Sequence, residues 1–108
     1  MDYSQLSDQE INIQVARIIH PEREVIESKS RPPSACVIGH LPSKWLDYCN
    51  NPADAWPIIE SNRISIRNRY EGDWKAENEW GESRFHVSCN PLRAAMICYL
   101  LMQDAKNA

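Results

Sequence analysis

The chain has 108 residues, a formal net charge of −3 at pH 7 and a pI near 5.6. This length fits a single domain, 1–108, which can bury a core without disulfides or a metal ion. A general nucleic-acid binder needs a basic surface, so the acidic balance argues against nucleic acid as a partner. The start of the chain lacks a secretory signal, and the longest apolar stretch, 94–102, is shorter than the roughly 20 residues of a membrane span. These features predict a cytoplasmic protein that does not enter a membrane.

The first predicted helix begins after Ser7. Ser7 can cap the free amides of the first turn while Glu10 reaches back to it, which is the capping-box pattern. Apolar residues then recur at helical spacing from Ile11 to Ile19. Pro21 ends this helix because it disfavours helical angles in the residue before it.

Residues 21–47 give no firm assignment. The part from 22 to 33 is charged and rich in proline, which is typical of an exposed loop. Residues 35–41 fit a short additional strand, and residues 44–48 fit a helical turn. We therefore expect a loop or an insertion at 21–47.

Two further helices are predicted to begin with the same Asn-Pro pair, at 51–52 and at 90–91. In each, the Asn can cap the helix and the Pro suits the first helical position. Pro57 lies inside the second helix and predicts a kink or an early end near Trp56, which should anchor in the core.

The third helix, from 91 to about 102, is apolar nearly all round, which predicts burial on several sides. Its apolar surface exceeds what one side of a three-stranded sheet can cover. The first two helices or a partner chain should cover the rest, and a homodimer is therefore expected.

Between residues 63 and 88 the apolar period changes to two, in three short runs separated by turn signals. The apolar positions are Ile64 and Ile66, Trp74 and Ala76, and Phe85 and Val87. Three such runs predict an antiparallel meander. The predicted fold class is therefore α+β, with a three-stranded antiparallel sheet packed by an N-terminal helix, a short central helix and an apolar C-terminal helix.

Strand alternation predicts a group of basic side chains on the polar face of this sheet. The group consists of Arg67, Lys75, Arg84 and His86. Together they could form a site for an anionic ligand. Alternatively, the face is simply solvated and its charges are offset by Glu77 and Glu82.

Four tryptophans are many for a chain of this length. Trp56 and Trp74 are expected in the core. Trp45, in the unassigned segment, and Trp80, at a turn, are candidates for partner binding, since exposed Trp is favoured in interfaces and can stack on a base. Either side chain can instead close the edge of the core.

Signatures of catalysis and of metal binding are missing from the sequence. There is no G-x-S-x-G, no H-E-x-x-H and no glycine-rich phosphate loop. The four cysteines, at 36, 49, 89 and 98, form no C-x-x-C pair and should be free thiols in the cytoplasm. We therefore expect no enzymatic activity, no metal and no cofactor.

Three segments resemble one family of small phage proteins. They read MDYSQLS at 1–7, YCNNPADAWPII at 48–59 and NPLRAAM at 90–96. The family is NinX, which occurs in lambdoid phages and prophages. The chain is also similar to phage domains described as an α–β–α sandwich, in which a W-x-A step such as Trp74-Lys75-Ala76 recurs.

The resemblance covers 1–20 and 48–104 and leaves 21–47 unmatched. It implies a phage accessory protein and brings no activity, cofactor or catalytic residue with it. The expected function is that of a non-enzymatic module which binds a host or phage protein. The alternative is capture of a small anionic ligand, such as a nucleotide, on the polar sheet face.

Overall fold

In a computed structural model, the described part of the chain, residues 2–39, 43–78 and 84–106, contains three α-helices, a 3-10 helix at Tyr3–Gln5 and six short strands. The helices are α1 (Asp8–Ile19), α2 (Pro52–Ser61) and α3 (Pro91–Lys106). The strands are β1 (Val25–Glu27), β2 (Ala35–Val37), β3 (Lys44–Leu46), β4 (Ser65–Asn68), β5 (Trp74–Asn78) and β6 (Arg84–Ser88). The first three strands form one antiparallel sheet and the last three form a second. The α+β class and the meander predicted between 63 and 88 are confirmed.

The first sheet lies within the segment 21–47. Strand β1 lies in the stretch predicted as an exposed loop, and β2 lies where the additional strand was expected. The helical turn predicted at 44–48 is wrong, because Lys44–Leu46 pairs with β2 as strand β3. Strands of three residues are too short to show a period of two, so they are specified by pairing and by contact with α1.

Helix α3 is the centre of the core. It packs against all three strands of the second sheet, and α1 and α2 also contact it. Helix α1 in turn packs against β1 and β2, so α1 lies between α3 and the first sheet. Residues 94–100 are buried without a partner chain, which removes the reason for expecting a homodimer.

The predicted helix starts are confirmed. Ser7 Oγ accepts from the Glu10 N–H and Glu10 Oε1 accepts from the Ser7 N–H, both at 3.1 Å, which forms the capping box. Asn51 Oδ1 accepts from the Ala53 N–H at 3.0 Å, and Asn90 caps α3 in the same way. Each cap satisfies amides that would otherwise lack a partner at the first helical turn.

Helix α2 departs from its prediction in two respects. It continues past Pro57 to Ser61, because the proline removes only one helical hydrogen bond while Ile58 and Ile59 are buried against the core. Of the two outcomes predicted at Pro57, the early end is therefore wrong and the kink stays a prediction. Trp56 is 57% exposed, so its expected place in the core is also wrong. Among the described helices, none is long and apolar enough to cross a membrane.

Candidate interaction surface

The predicted basic group on the second sheet is divided between the two faces of the sheet. Arg67 is opposite Lys75, and both lie on the outer face. His86 is opposite the buried Ala76, which places it on the side that faces α3, and Arg84 shares that side. The prediction that Arg67, Lys75, Arg84 and His86 share one cationic face is therefore wrong.

The cause of this error lies in strand β6. Its apolar residues Phe85 and Val87 were expected to face inward, yet they lie beside Lys75 on the outer face, and Phe85 is 57% exposed. The alternation in β6 identifies which residues share a face but not which face the helices cover. The register with β5 decides that question.

Glu77 offsets the charges that remain on the outer face, while Glu82, the other predicted partner, lies outside the described residues. Glu77 pairs with Arg67 at 2.7 Å and with Lys75 at 3.4 Å. The ammonium group of Lys75 also lies 4.7 Å from the centre of the Phe85 ring. An open cleft of about 450 Å³ is lined in part by Arg67, Lys75 and Phe85. An anion bound there would compete with Glu77 for the two cations. This arrangement favours the solvated-face interpretation over an anion site.

His86 lies on the helix side of β6 and is partly buried. Desolvation lowers the pKa of His86 below its usual value of 6.5, and the positive charge of Arg93 acts in the same direction, while Asp2 opposes the shift. The folded chain therefore favours the neutral imidazole.

We expect the NMR titration of His86 to give a lower pKa in the folded chain than in the urea-unfolded chain. Since the unfolded chain then binds more protons, the contribution of His86 to stability is present above pH 6.5 and is lost as the pH falls through the folded pKa. His86→Gln should make the free energy of unfolding less dependent on pH between about 7 and 5. A folded pKa equal to or above the unfolded one would contradict the helix-facing position.

The first sheet has one buried face and one exposed face. Val25, Ala35 and Val37 face α1 and are buried. The opposite side carries Ile26, Cys36 and Trp45, which are aligned across the three strands by the pairing of Ile26 with Cys36 and of Cys36 with Trp45. Ile38 lies two residues beyond Cys36 on the same side. We call these four residues, Ile26, Cys36, Ile38 and Trp45, the first-sheet face.

The first-sheet face is apolar and accessible. Ile26 is 41% exposed and Trp45 is 36% exposed, while Cys36 is partly buried between them. A shallow cleft of about 350 Å³ beside Trp45 is lined by these three side chains and by residues 27–30 from the end of β1 and the following loop.

The loop between β1 and β2 is held in place against α1. Gln9 Nε2 donates to the Ser28 carbonyl at 3.1 Å and to the Ser34 carbonyl at 3.3 Å. The Arg31 N–H donates to Ser28 Oγ at 3.0 Å. These bonds fix the backbone that carries Arg31, whose guanidinium carbon lies 4.3 Å from the centre of the Trp45 ring.

Of the tryptophans predicted to bind a partner, Trp45 is thus on an exposed apolar surface. Trp80 lies outside the described residues. Trp74 lies on the helix side of β5 and is half-buried, as expected for a residue at the edge of the core.

A buried polar cluster, which the sequence interpretation missed, joins the starts of the helices to the segment after β3. Asn12 of α1 is fully buried, and its Nδ2 donates to the Pro33 carbonyl at 3.1 Å and to Asp47 Oδ1 at 2.8 Å. Its Oδ1 accepts from the Cys49 N–H at 3.1 Å. A polar residue inside the apolar stripe of α1 is the signal that could have identified this cluster.

The start of α3 joins the same cluster. Asn90 accepts from the Arg93 N–H and donates from Nδ2 to the Cys49 carbonyl at 2.7 Å. The Arg93 guanidinium pairs with Asp8 at 2.7 Å and donates to the Leu6 carbonyl at 2.6 Å. These residues therefore connect segments that are distant in the sequence, which gives the Asn-Pro segments a structural role.

Comparison with protein families agrees with the sequence resemblance. A family model described as Bacteriophage P22, NinX matches residues 2–103. A search of curated proteins finds no match. The matched range contains both Asn-Pro helix starts and also runs through 21–47, which the sequence resemblance does not cover. Since the match extends over nearly the whole chain, the chain belongs to the NinX family of bacteriophage proteins.

Proposed function

We propose that this chain is a phage accessory protein that binds a host or phage protein in the host cytoplasm, without catalysing a reaction. The first-sheet face is the proposed binding surface. The observation that carries the proposal is the exposed row of Ile26, Cys36 and Trp45 on the side of the sheet that faces away from α1.

The apolar composition of the first-sheet face and the fixed backbone beside it suit a binding role. A partner that covers the exposed apolar area gains roughly 25 cal/mol for each Å² removed from water. Tryptophan is enriched among the residues that dominate interface energies. The loop that carries Arg31 is already held by Gln9 of α1, so binding would lose little conformational entropy.

The two buried thiols are unsuited to nucleophilic catalysis. Desolvation raises the pKa of Cys98 to about 11 and also raises the pKa of Cys49, so both thiols stay protonated at neutral pH and are poor nucleophiles. Within the described ranges, no three side chains of the metal-binding types come together as a metal site would require. The lack of catalytic signatures in the sequence agrees with this interpretation.

A comparison of two tryptophan variants tests the proposal. Trp45→Ala should lose the protein that the unmodified chain captures from phage-infected host lysate, with an affinity loss of about thirtyfold, the size typical of an interface hot spot. Trp56→Ala is the matched control, because Trp56 is more exposed and lies on α2, away from the first-sheet face. Thermal unfolding of both variants would show whether either change acts through stability.

Thiol labelling locates the bound surface. The captured protein should protect Cys36 from iodoacetamide and leave Cys89 reactive, since Cys89 is exposed on the turn before α3. Capture that survives Trp45→Ala, or labelling of Cys36 that the partner does not slow, would contradict the proposed surface.

A further inference from the structure

Two cationic side chains lie beside the first-sheet face and have no acidic partner among the described residues. Lys29 lines the cleft beside Trp45, and Arg31 lies over the Trp45 ring. Both residues are exposed. Neither forms an ion pair with a carboxylate of the described residues, whereas Arg67 on the second sheet is paired.

The guanidinium of Arg31 is held over the Trp45 ring but has no hydrogen-bond acceptor among the described residues. Its contact with the Trp45 ring leaves the N–H groups at its edge available, and no described residue accepts a hydrogen bond from them. A guanidinium held in this way can take a carboxylate through two parallel hydrogen bonds. The backbone bond from Arg31 to Ser28 Oγ keeps this donor group beside the apolar cleft.

The local charge is opposite in sign to that of the whole chain. The cleft-lining Lys29 and the neighbouring Arg31 carry two positive charges against the one carboxylate of Glu27, while the chain has a net charge of −3. Charge complementarity across an interface steers association and selects partners. The surface therefore favours a ligand that combines an apolar group with negative charge.

We infer that the first-sheet face binds an acidic segment of the partner protein, with an apolar side chain in the cleft beside Trp45 and carboxylates on Arg31 and Lys29. This inference rests on the proposed function and adds the chemistry of the partner. It explains why an exposed apolar row is bordered by cations that pair with no carboxylate of the described residues.

Selection from a random peptide library on the immobilised full chain tests the inference. Peptides that need Trp45 should carry Asp or Glu residues next to an aliphatic or aromatic residue. A synthetic peptide of that type should bind about tenfold more weakly when its carboxylates are changed to amides, and its affinity should fall with added salt. The double variant K29Q/R31Q should also bind the unmodified peptide about tenfold more weakly, whereas the control R67Q/K75Q should not.

The outcomes separate the inference from the proposed function. If the enriched peptides depend on Trp45 but are neutral or basic, the acidic partner is wrong and the binding surface remains. If no enriched peptide depends on Trp45, both the surface and the inference are overturned. Tighter, Trp45-dependent binding of an oligothymidine of about 20 nucleotides would also overturn the inference, because stacking and phosphates would then replace the acidic peptide.

Discussion

Leu100→Ala is expected to lower the free energy of unfolding by roughly 3 kcal/mol, the middle of the range for a buried leucine reduced to alanine. Leu100 is 1% exposed and lies in the middle of α3, which packs between the second sheet and the other helices. The lost methyl groups would leave a cavity that this surrounded helix cannot close by moving. A domain of this size has about 5–15 kcal/mol of stability, so the loss is a large share of the total.

Leu101→Ala is the matched control for this prediction. It makes the same chemical change one position later on the same helix, but Leu101 is only partly buried. Urea unfolding of both variants, followed by circular dichroism, should show the Leu101 loss to be less than half of the Leu100 loss. Equal losses would contradict the central position of α3.

Asn12→Ala should destabilise the chain by roughly 3 kcal/mol, because it removes hydrogen bonds from partners that stay buried. The change leaves the Cys49 N–H without its acceptor and the Pro33 carbonyl without the donor of Asn12. Asn12→Asp tests the same site differently. The aspartate keeps an acceptor for the Cys49 N–H, but it lacks the Nδ2 donor and places a second carboxylate next to Asp47. Above about pH 5 it should therefore lower the free energy of unfolding at least as much as Asn12→Ala does.

Asn68→Ala provides the comparison for Asn12. Asn68 is exposed on β4 and makes no side-chain hydrogen bond to the described residues. Its replacement should change the free energy of unfolding by about 0.5 kcal/mol or less. A similar small effect for Asn12→Ala would show that the buried polar cluster adds little to stability.

Helix starts were predictable because capping depends on a few neighbouring residues. Ser7, Asn51 and Asn90 cap the helices that their sequences predict. The second sheet was also predictable, since runs of alternating residues separated by turns suffice for a meander. The first sheet was not, because its three-residue strands depend on pairing and on contact with α1.

The candidate site was less predictable than the fold. Trp45 was identified from its residue type alone, yet its surroundings depend on the register of β2 with β3, which a sequence pattern does not show. Arg31 is separated from Trp45 in the sequence and meets it only through the sheet. Arg84 and His86 were predicted on the wrong face of the second sheet, because tertiary packing places these polar residues of β6 toward α3.

The central place of α3 has a consequence for how the chain is made. This helix follows every other described element in the sequence, yet the second sheet and both other helices pack against it. A nascent chain that still lacks α3 can pack α1 on the first sheet, but its second sheet and α2 lack the helix against which they pack. The complete core should therefore form only after synthesis has passed residue 106, and prematurely terminated products should be rapidly degraded by host proteases.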